Sequence, residues 1–336
     1  MAETRIVVIG GGTGTYTALM GLKRFSRGIT AVVTMADDGG SSGRLRDEFG
    51  HLPPGDVRRC LVALSANRRV SRTLRALFEY RFDRGEGLSG HSVGNLLLTV
   101  LTELTGSSEQ AIEEAAHLLN VRGRVLPVST DNVRLCAELE DGTVIHGERN
   151  IDVRTVKPDV PIRRVFLTPE ASVYPAAAEA IRAADLLVIG PGDLYTSVVP
   201  NLLVRGVPEA VRACRGVRAY VCNLMTKHGE TDGFTASDFV AAVTRYLGGP
   251  GALDCVVANS GPLPAELAER YAGERAHPVA VDVERCLEYV PQVVQADLVA
   301  AGSLVRHDPR KLARCLMAVA REARGRQGAP GAQRQG

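Results

Sequence analysis

The chain has 336 residues, of which 45% are hydrophobic and 23% are charged. These proportions are ordinary for a globular chain of one large or two medium domains, and they exclude a largely disordered protein. The 40 basic and 38 acidic residues leave a net charge of +2. That balance excludes a strongly basic binder of nucleic acids or membrane surfaces.

Cysteine content and hydropathy indicate the compartment. The seven cysteines are scattered singly, with no Cys-x-x-Cys pair, and most lie in apolar stretches. This distribution predicts reduced, buried thiols rather than a zinc site or a disulfide framework. The N-terminus has no signal-peptide pattern, and no apolar run reaches the roughly 18 residues of a membrane span. We therefore expect a cytoplasmic protein without a membrane span.

The chain opens with a β-branched run, a glycine-rich turn at 10–14, a helical pattern and a second strand. This order is typical of the first β-α-β unit of a parallel sheet that is buried on both faces. Strands are predicted at 5–9, 29–34, 124–128, 163–167, 185–189, 217–221 and 255–258. Further helices are predicted at 56–67, 71–80, 93–104, 109–119, 175–183, 207–213, 235–246 and 309–323. The alternation predicts an α/β fold with a Rossmann-like, doubly wound, mostly parallel sheet.

Two stretches depart from this alternation. Residues 132–146 predict an antiparallel β-hairpin around an Asp-Gly turn, at a sheet edge or in a small subdomain. The helical block at about 55–120 predicts an insertion between sheet strands. Because no long linker divides the chain, we expect a single domain over 1–324. The remaining residues, 325–336, are rich in Gly, Gln and Arg and predict a disordered tail.

The turn at 10–14, Gly-Gly-Gly-Thr-Gly, joins the first strand to the first helix. Glycines at such a junction let backbone N–H groups approach a phosphate, and the helix dipole favours the anion. The spacing nearly matches the dinucleotide fingerprint G-x-G-x-x-G, but Thr15 takes the third glycine position and no Walker lysine follows. The turn therefore predicts a phosphate site, with a ligand-free tight turn as the alternative, and a P-loop ATPase is excluded.

Residues 37–44, Asp-Asp-Gly-Gly-Ser-Ser-Gly-Arg, directly follow the second strand. We interpret them as a flexible loop at the carboxyl edge of the sheet, where open α/β sheets bind ligands. Paired carboxylates can hold Mg²⁺ against substrate phosphates, and Ser and Arg side chains can donate to the same phosphates. The alternative is a solvated turn, since Asp, Gly and Ser all favour turns.

Polar residues also mark the ends of other elements. Residues 190–193, Gly-Pro-Gly-Asp, form a second strand-turn-helix junction, and two such turns in one parallel sheet predict a crevice at a topological switch point. Asn223 ends another strand and is expected to face that crevice. His91 and Asn95 begin an apolar helix, where they suit an anion or a ribose, although a self-contained helix cap explains them equally. Residues 53–59 are interpreted as a helix start.

In combination and in order, these motifs resemble the YvcK family of bacterial gluconeogenesis factors, within the wider superfamily of the phospholactate transferase CofD. The resemblance covers residues 4–323, and its motifs are Ile9–Gly14, Asp37–Arg46, Pro53–Arg58, Gly190–Ser197 and Asn223–Thr226. It implies a Rossmann-like core. CofD-type enzymes transfer a phospholactyl group from a nucleotide donor to a deazaflavin precursor and use Mg²⁺. YvcK-type proteins bind UDP-N-acetylglucosamine and support cell shape and wall synthesis during growth on gluconeogenic carbon sources.

By this similarity, the glycine turns and the 37–44 segment would line a nucleotide-sugar crevice, with Tyr271 and Arg306 as its aromatic and basic contacts. A Tyr can stack on a uridine, and an Arg can pair with a diphosphate. A half-buried helical Tyr and a solvated Arg are the alternatives. The candidate ligand-contacting residues are Gly11, Gly12, Thr13, Gly14, Asp37, Asp38, Gly40, Ser41, Ser42, Arg44, His91, Asn95, Gly190, Gly192, Asp193, Tyr195, Thr196, Ser197, Asn223, Tyr271 and Arg306.

One residue departs from the family pattern, which leads us to expect Ser where this chain has Asp193. A carboxylate there would repel a diphosphate unless a cation intervenes. We therefore expect any Mg²⁺ site to use Asp37, Asp38 and Asp193. No nucleophile or general base stands out, so no catalytic residue is assigned.

Three functions fit these residues. The first is a regulator that binds UDP-N-acetylglucosamine, requires no cofactor and controls wall-precursor supply through a protein partner. The second is a Mg²⁺-dependent transferase of a nucleotide-linked phospholactyl-type group. The third, an NAD(P)-dependent oxidoreductase, is disfavoured by Thr15 and by the acidic pair. We choose the regulator, with neither nucleic acid nor membrane as a partner and with a homodimer left open.

Overall fold

The computed structural model describes residues 3–66 and 69–328 and contains a large parallel sheet. Its strands are β1 (Ile6–Gly10), β2 (Ile29–Val33), β3 (Arg124–Pro127), β7 (Leu186–Ile189), β8 (Val217–Val221), β9 (Cys255–Asn259) and β10 (Val293–Ala296). They lie in the order β10-β9-β8-β7-β1-β2-β3, and every neighbouring pair is parallel. This topology confirms the predicted Rossmann-like, doubly wound sheet and adds β10, which has no counterpart in the sequence prediction.

A smaller antiparallel sheet contains β4 (Arg134–Leu139), β5 (Val144–His146) and β6 (Ile162–Thr168), in the order β5-β4-β6. Strands β4 and β5 form the predicted hairpin. The expectation that 163–167 belong to the parallel sheet is wrong, because this strand pairs with β4. Its side chains explain the placement: Arg163 and Arg164 are exposed and both donate to Glu138 on β4, as suits a strand with one solvated face.

Helices flank both sheets. They are α1 (Gly12–Leu22), α2 (Gly40–Phe49), α3 (Gly55–Leu64), α4 (Arg69–Glu79), α5 (Val93–Thr105), α6 (Ser108–Leu118), α7 (Glu148–Asp152), α8 (Pro175–Ala183), α9 (Val199–Leu202), α10 (Val207–Arg212), α11 (Ala236–Tyr246), α12 (Ala265–Gly273), α13 (Val283–Cys286) and α14 (Pro309–Gly328). A π-helical turn, Leu194–Val198, precedes α9. Helices α3 to α6 lie between β2 and β3 in the chain, which is the predicted helical insertion.

The position of β1 in the hydrophobic core explains why its sequence is a continuous apolar run. Ile6 and Val8 of β1 enter one hydrophobic cluster, whereas Val7 and Ile9 enter the other, on the opposite face of the sheet. All four side chains are fully buried. A parallel strand that is covered on both faces needs apolar residues at every position. The sheet is therefore covered on both faces up to the ends of β1 and β7, where the glycine turns begin.

Three further expectations concern the whole chain. Helix α14 continues through Gly328, so 325–328 are helical rather than part of a disordered tail, and 329–336 lie outside the described residues. The seven cysteines are all free, and five of them are buried. Across residues 3–66 and 69–328, no helix combines the length and the apolar character needed to cross a bilayer.

Candidate functional site

The two glycine turns meet at the switch point of the large sheet. Strands β1 and β7 are neighbours in the sheet. From β1 the strand order continues through β2 and β3 to one edge, and from β7 it continues through β8, β9 and β10 to the other edge. Open α/β sheets bind ligands beyond the carboxyl ends of such strands. Gly12 begins α1 with a φ of +65°, a conformation that favours glycine. A Cβ on Gly14 would lie 2.2 Å from the carbonyl oxygen of Pro191, so the two turns touch only because this residue is glycine.

Two adjoining cavities form a crevice above the turns. The first encloses about 600 Å³ and reaches toward the end of β8 and the segment at 305–307. The second encloses about 470 Å³ and reaches toward the starts of α2 and α3. Both are lined by Thr13, Gly14, Asp152, Val153, Gly192 and Asp193. The crevice therefore has two arms that meet at the glycine turns, and we call them the first arm and the second arm.

Most of the sequence-predicted site residues line these arms. Those on both arms are Thr13, Gly14, Gly192 and Asp193. Those on the first arm alone are Asn223, Tyr271 and Arg306. Those on the second arm alone are Gly11, Gly12, Asp37, Gly40, Ser41, Ser42, Asn95, Thr196 and Ser197. The fold thus brings together residues from seven separate parts of the chain.

Five of the predicted residues lie off the walls of both arms. Asp38 accepts a hydrogen bond from the Arg149 N–H at 2.7 Å, at the start of α7. The exposed Arg44 donates to the carbonyl of Ser89, 2.9 Å away. His91 lies behind Ser41, with 3.1 Å between Nδ1 and the serine Oγ. The remaining two are Gly190, the first residue of the second glycine turn, and Tyr195, which is buried in the core.

The expectation of a loop over 37–44 is wrong for residues 40–44, which belong to helix α2, whereas residues 37–39 lie outside any helix or strand. Helix α2 begins at Gly40, and Ser41 and Ser42 are buried in its first turn. The Asn95 Nδ2 donates to the hydroxyl oxygens of both serines, at 3.1 Å and 3.4 Å. A Cβ on Gly43 would lie 2.0 Å from the carbonyl oxygen of Asp38, so glycine allows the helix to start this close to the turn.

Three acidic residues that line the second arm, Asp56, Glu148 and Asp152, have no counterpart among the predicted site residues. Asp56 lies in the first turn of α3, where its sequence context indicates a helix start, yet its carboxylate lies against the first glycine turn. A Cβ on Gly11 would lie 2.4 Å from Asp56 Oδ2. Glu148 begins α7 and lines the same arm as Asp37. The Pro-Pro-Gly-Asp sequence before α3 was the available signal for Asp56, and nothing near Glu148 marks it as a site residue.

These carboxyl groups influence one another. Burial and the charge of Asp37 raise the pKa of Asp56 to about 6. Burial and the same charge raise the pKa of Glu148 to about 9. Glu148 is therefore protonated at neutral pH and can donate a hydrogen bond. Carboxyl groups with raised pKa values in a cleft are characteristic of functional sites, although structural acidic clusters show them too.

The predicted metal ligands do not come together. Within residues 3–66 and 69–328, the acidic group whose ligand atoms all lie within 4.8 Å of one another is Asp152, Asp193 and Glu230. The Lys227 Nζ lies among them, 2.8 Å from Asp193 Oδ2 and 2.8 Å from Glu230 Oε1, and also contacts Asp152. Asp193 therefore pairs with an ammonium group rather than with Asp37 and Asp38.

The first arm ends at an aromatic and basic wall. The Tyr271 hydroxyl accepts a hydrogen bond from the Val305 N–H at 3.3 Å, and the Arg270 guanidinium lies 5.2 Å from the centroid of the tyrosine ring. Arg306 follows Val305 and lines the same wall. On the opposite side, Asn223 donates from Nδ2 to the carbonyl of Gly192 at 2.9 Å. That bond ties the end of β8 to the second glycine turn.

Comparison with known proteins supports a family assignment. The family model described as 2-phospho-L-lactate transferase CofD matches residues 6–299. A protein of Halalkalibacterium halodurans named gluconeogenesis factor is 46% identical over 319 residues, which are 94% of this chain and 97% of that protein. The Bacillus subtilis gluconeogenesis factor is 43% identical over 322 residues, which are 95% of this chain and 99% of that protein.

Two solved structures support the same family assignment. A crystal structure of a Bacillus halodurans protein superimposes with a TM-score of 0.89 and 45% identity, covering 94% of this chain and all of that one. A second crystal structure, described as a member of the UPF0052 family, gives a TM-score of 0.88 at the same identity. The chain belongs to the CofD family and, within it, to the group of gluconeogenesis factors.

Proposed function

We propose that this gluconeogenesis factor binds UDP-N-acetylglucosamine along the crevice and acts as a ligand-dependent regulator of wall-precursor supply. In this role it supports cell shape and wall synthesis while cells grow on gluconeogenic carbon sources. The observation that carries the proposal is the two-armed crevice centred on two touching glycine turns, with Tyr271 and Arg306 at the end of one arm. A nucleotide sugar has the same layout, since its diphosphate separates a base from a sugar.

The centre of the crevice suits a diphosphate. Helix α1 begins at Gly12 without an acidic residue in its own first turn. The Asp56 carboxyl group accepts a hydrogen bond from the Gly12 N–H, and the other N–H groups of that turn and the helix dipole favour an anion. Gly14 and Gly192 lie on both arms and present backbone without side chains. A phosphate at this position bridges the two arms.

The two arms suit the two ends of the ligand. In the first arm, Tyr271 offers an aromatic ring to a uracil base, and Arg306 offers charge to the adjacent phosphate. The second arm is the more polar, since Ser41, Ser42 and Asn95 line it with hydroxyl and amide groups. Such groups match the hydroxyls and the amide of an N-acetylated sugar.

A transferase is the second candidate, and one observation favours it. Asp37, Asp56 and Glu148 lie in the second arm, and carboxylate oxygens are the ligands that Mg²⁺ prefers. The family model also takes its name from a phospholactate transferase. Phosphoryl chemistry needs mainly positioning and charge, so Asp37 and Asp56 would hold a metal together with the phosphates of the donor, and the protonated Glu148 would donate a hydrogen bond to that donor.

Isothermal titration with UDP-N-acetylglucosamine, with and without Mg²⁺, tests the proposal. We expect saturable binding of this nucleotide sugar, no comparable binding of NAD⁺ or GDP, and unchanged ligand on recovery. Binding of GDP instead, or consumption of the ligand, would favour the transferase.

A variant pair tests the placement of the ligand. Arg306→Gln removes the charge at the end of the first arm and is expected to weaken binding at least tenfold. Arg314→Gln, at an exposed position of α14, is the matched control and should bind like the unmodified chain. In cells that lack the gene, Arg314→Gln should restore growth on a gluconeogenic carbon source, and Arg306→Gln should not.

A further inference from the structure

Lys227 occupies the centre of an acidic group at the junction of the two arms. Its Nζ contacts a carboxylate oxygen of Asp152, Asp193 and Glu230. An ammonium group has three N–H donors, so each of them has a carboxylate partner. Glu230 is fully buried and also accepts from the Tyr195 N–H at 3.2 Å, which fixes one side of the group to the π-helical turn.

Two of these carboxylates face the position where a diphosphate would lie. The Asp152 and Asp193 side chains are 34% and 43% exposed, and both residues line both arms. Without a cation, two carboxylates at this position would repel a bound diphosphate.

We propose that Lys227 is a built-in cation that takes the place of a divalent metal ion at this junction, so that the crevice accepts a diphosphate without Mg²⁺ bound to Asp193. This inference rests on the proposed binding of a nucleotide diphosphate. Lys227 acts as a positioning residue, because its donors are engaged by the three carboxylates and it influences the ligand through them.

The chemistry of the group supports this role. Three carboxylates whose oxygens lie within 4.8 Å of one another offer the oxygen ligands that divalent cations take, and the ammonium lies between them. Burial lowers the pKa of Lys227, but the charges of Glu230, Asp193 and Asp152 outweigh it and hold the pKa above its ordinary value. The lysine is therefore charged at every pH at which the protein would bind its ligand.

The test first removes the positive charge of Lys227 and then removes the negative charge of Asp193 that it balances. Lys227→Met keeps the length of the side chain without its charge, and we expect it to weaken binding of UDP-N-acetylglucosamine in EDTA by about tenfold or more. The double variant Lys227→Met with Asp193→Asn should recover most of that loss. Lys157→Met is the matched control, since Lys157 pairs with Asp141 outside the crevice and its loss should leave affinity unchanged.

A metal titration gives a second readout that does not need the nucleotide. Mn²⁺ followed by electron paramagnetic resonance should bind to Lys227→Met at one additional site per chain, compared with the unmodified protein. Mg²⁺ should then restore nucleotide binding to Lys227→Met.

Several outcomes would overturn the inference. The first is that Lys227→Met binds the nucleotide in EDTA as tightly as the unmodified protein, and the second is that Asp193→Asn fails to restore binding to Lys227→Met. The third is that Lys227→Met gains no additional Mn²⁺ site. The fourth is that the unmodified protein loses the nucleotide in EDTA. Failure of the proposed function looks different, because the unmodified protein would then bind no UDP-N-acetylglucosamine with or without Mg²⁺.

Discussion

Arg58 donates from Nε to Oδ1 of Asn95 over 2.8 Å, and both side chains are buried. Asn95 in turn donates to Ser41 at the start of α2. Three motifs that are separate in the sequence, at 37–44, 53–59 and 90–97, thereby become one hydrogen-bonded wall of the second arm. The position of the serines thus depends on an arginine that reaches them only through Asn95.

The first prediction concerns this arginine. Arg58→Met leaves Asn95 Oδ1 without its donor and removes the longer bond, 3.3 Å, to the Phe78 carbonyl. Removing a charged donor from buried acceptors costs on the order of 2–4 kcal/mol. We expect the free energy of unfolding, measured by urea denaturation, to fall by that amount, and binding of UDP-N-acetylglucosamine to weaken.

The neighbouring arginine provides the control. The Arg59 side chain is 44% exposed and lies 3.6 Å from Asp56, a separation at which an ion pair near the surface contributes about 0.5 kcal/mol. Arg59→Met should therefore change the free energy of unfolding much less than Arg58→Met. Equal losses in the two variants would show that the buried network does not hold the wall.

The sheet and its glycine turns could be predicted from the sequence because their signals are local. The run Ile6–Gly10 is apolar at every position, and the glycines follow at once, so strand, turn and helix can be assigned from adjacent residues. The same holds for Leu186–Ile189 and the turn after it. Since parallel strands end at one edge, their turns had to meet there.

The contacts that Asp56 and Lys227 make in the crevice could not be predicted, because their partners are distant in the chain. From its neighbours in the sequence, Asp56 is an ordinary residue of a first helical turn. Only the tertiary fold places it against Gly11. Lys227 follows a strand end and meets Asp152 from a short helix 75 residues earlier. Strand β10 was missed for another reason, since its four residues are only partly buried and lack a clear apolar pattern.

The second prediction concerns the contact between the glycine turns. Gly14→Ala would place a methyl group 2.2 Å from the Pro191 carbonyl oxygen, so the turns after β1 and β7 must separate. Overpacking of this kind costs about 1–3 kcal/mol. We expect a lower melting temperature and weaker binding of UDP-N-acetylglucosamine, because the proposed phosphate position lies between the same two turns.

Gly273→Ala is the matched control for that substitution. Gly273 ends α12, and a Cβ there would meet nothing within 4 Å. Alanine restricts the unfolded chain more than glycine does, so this variant should be neutral or more stable by about 0.5–1 kcal/mol. If Gly14→Ala behaved like Gly273→Ala, the close approach of the two turns would not be required for the fold.

The third prediction concerns pH. His307 is buried in the wall of the first arm, its Nε2 has no hydrogen-bond partner among the described residues, and burial lowers its pKa to about 4 from an ordinary value of 6.5. Between these two values the unfolded chain takes up a proton that the folded chain does not. The free energy of unfolding should therefore fall as the pH drops from 6.5 to 4, by on the order of 2–3 kcal/mol.

His307→Gln removes the titrating group, so thermal unfolding without ligand should show a flatter dependence on pH between 6.5 and 4. His277→Gln is the control, since the His277 side chain is exposed and its replacement should leave the slope as it is in the unmodified chain. From about one pH unit above 6.5 the imidazole is neutral in both states, so this pH-dependent difference between His307→Gln and the unmodified protein should vanish there. An unchanged slope in His307→Gln would mean that other groups govern the acid sensitivity of the fold.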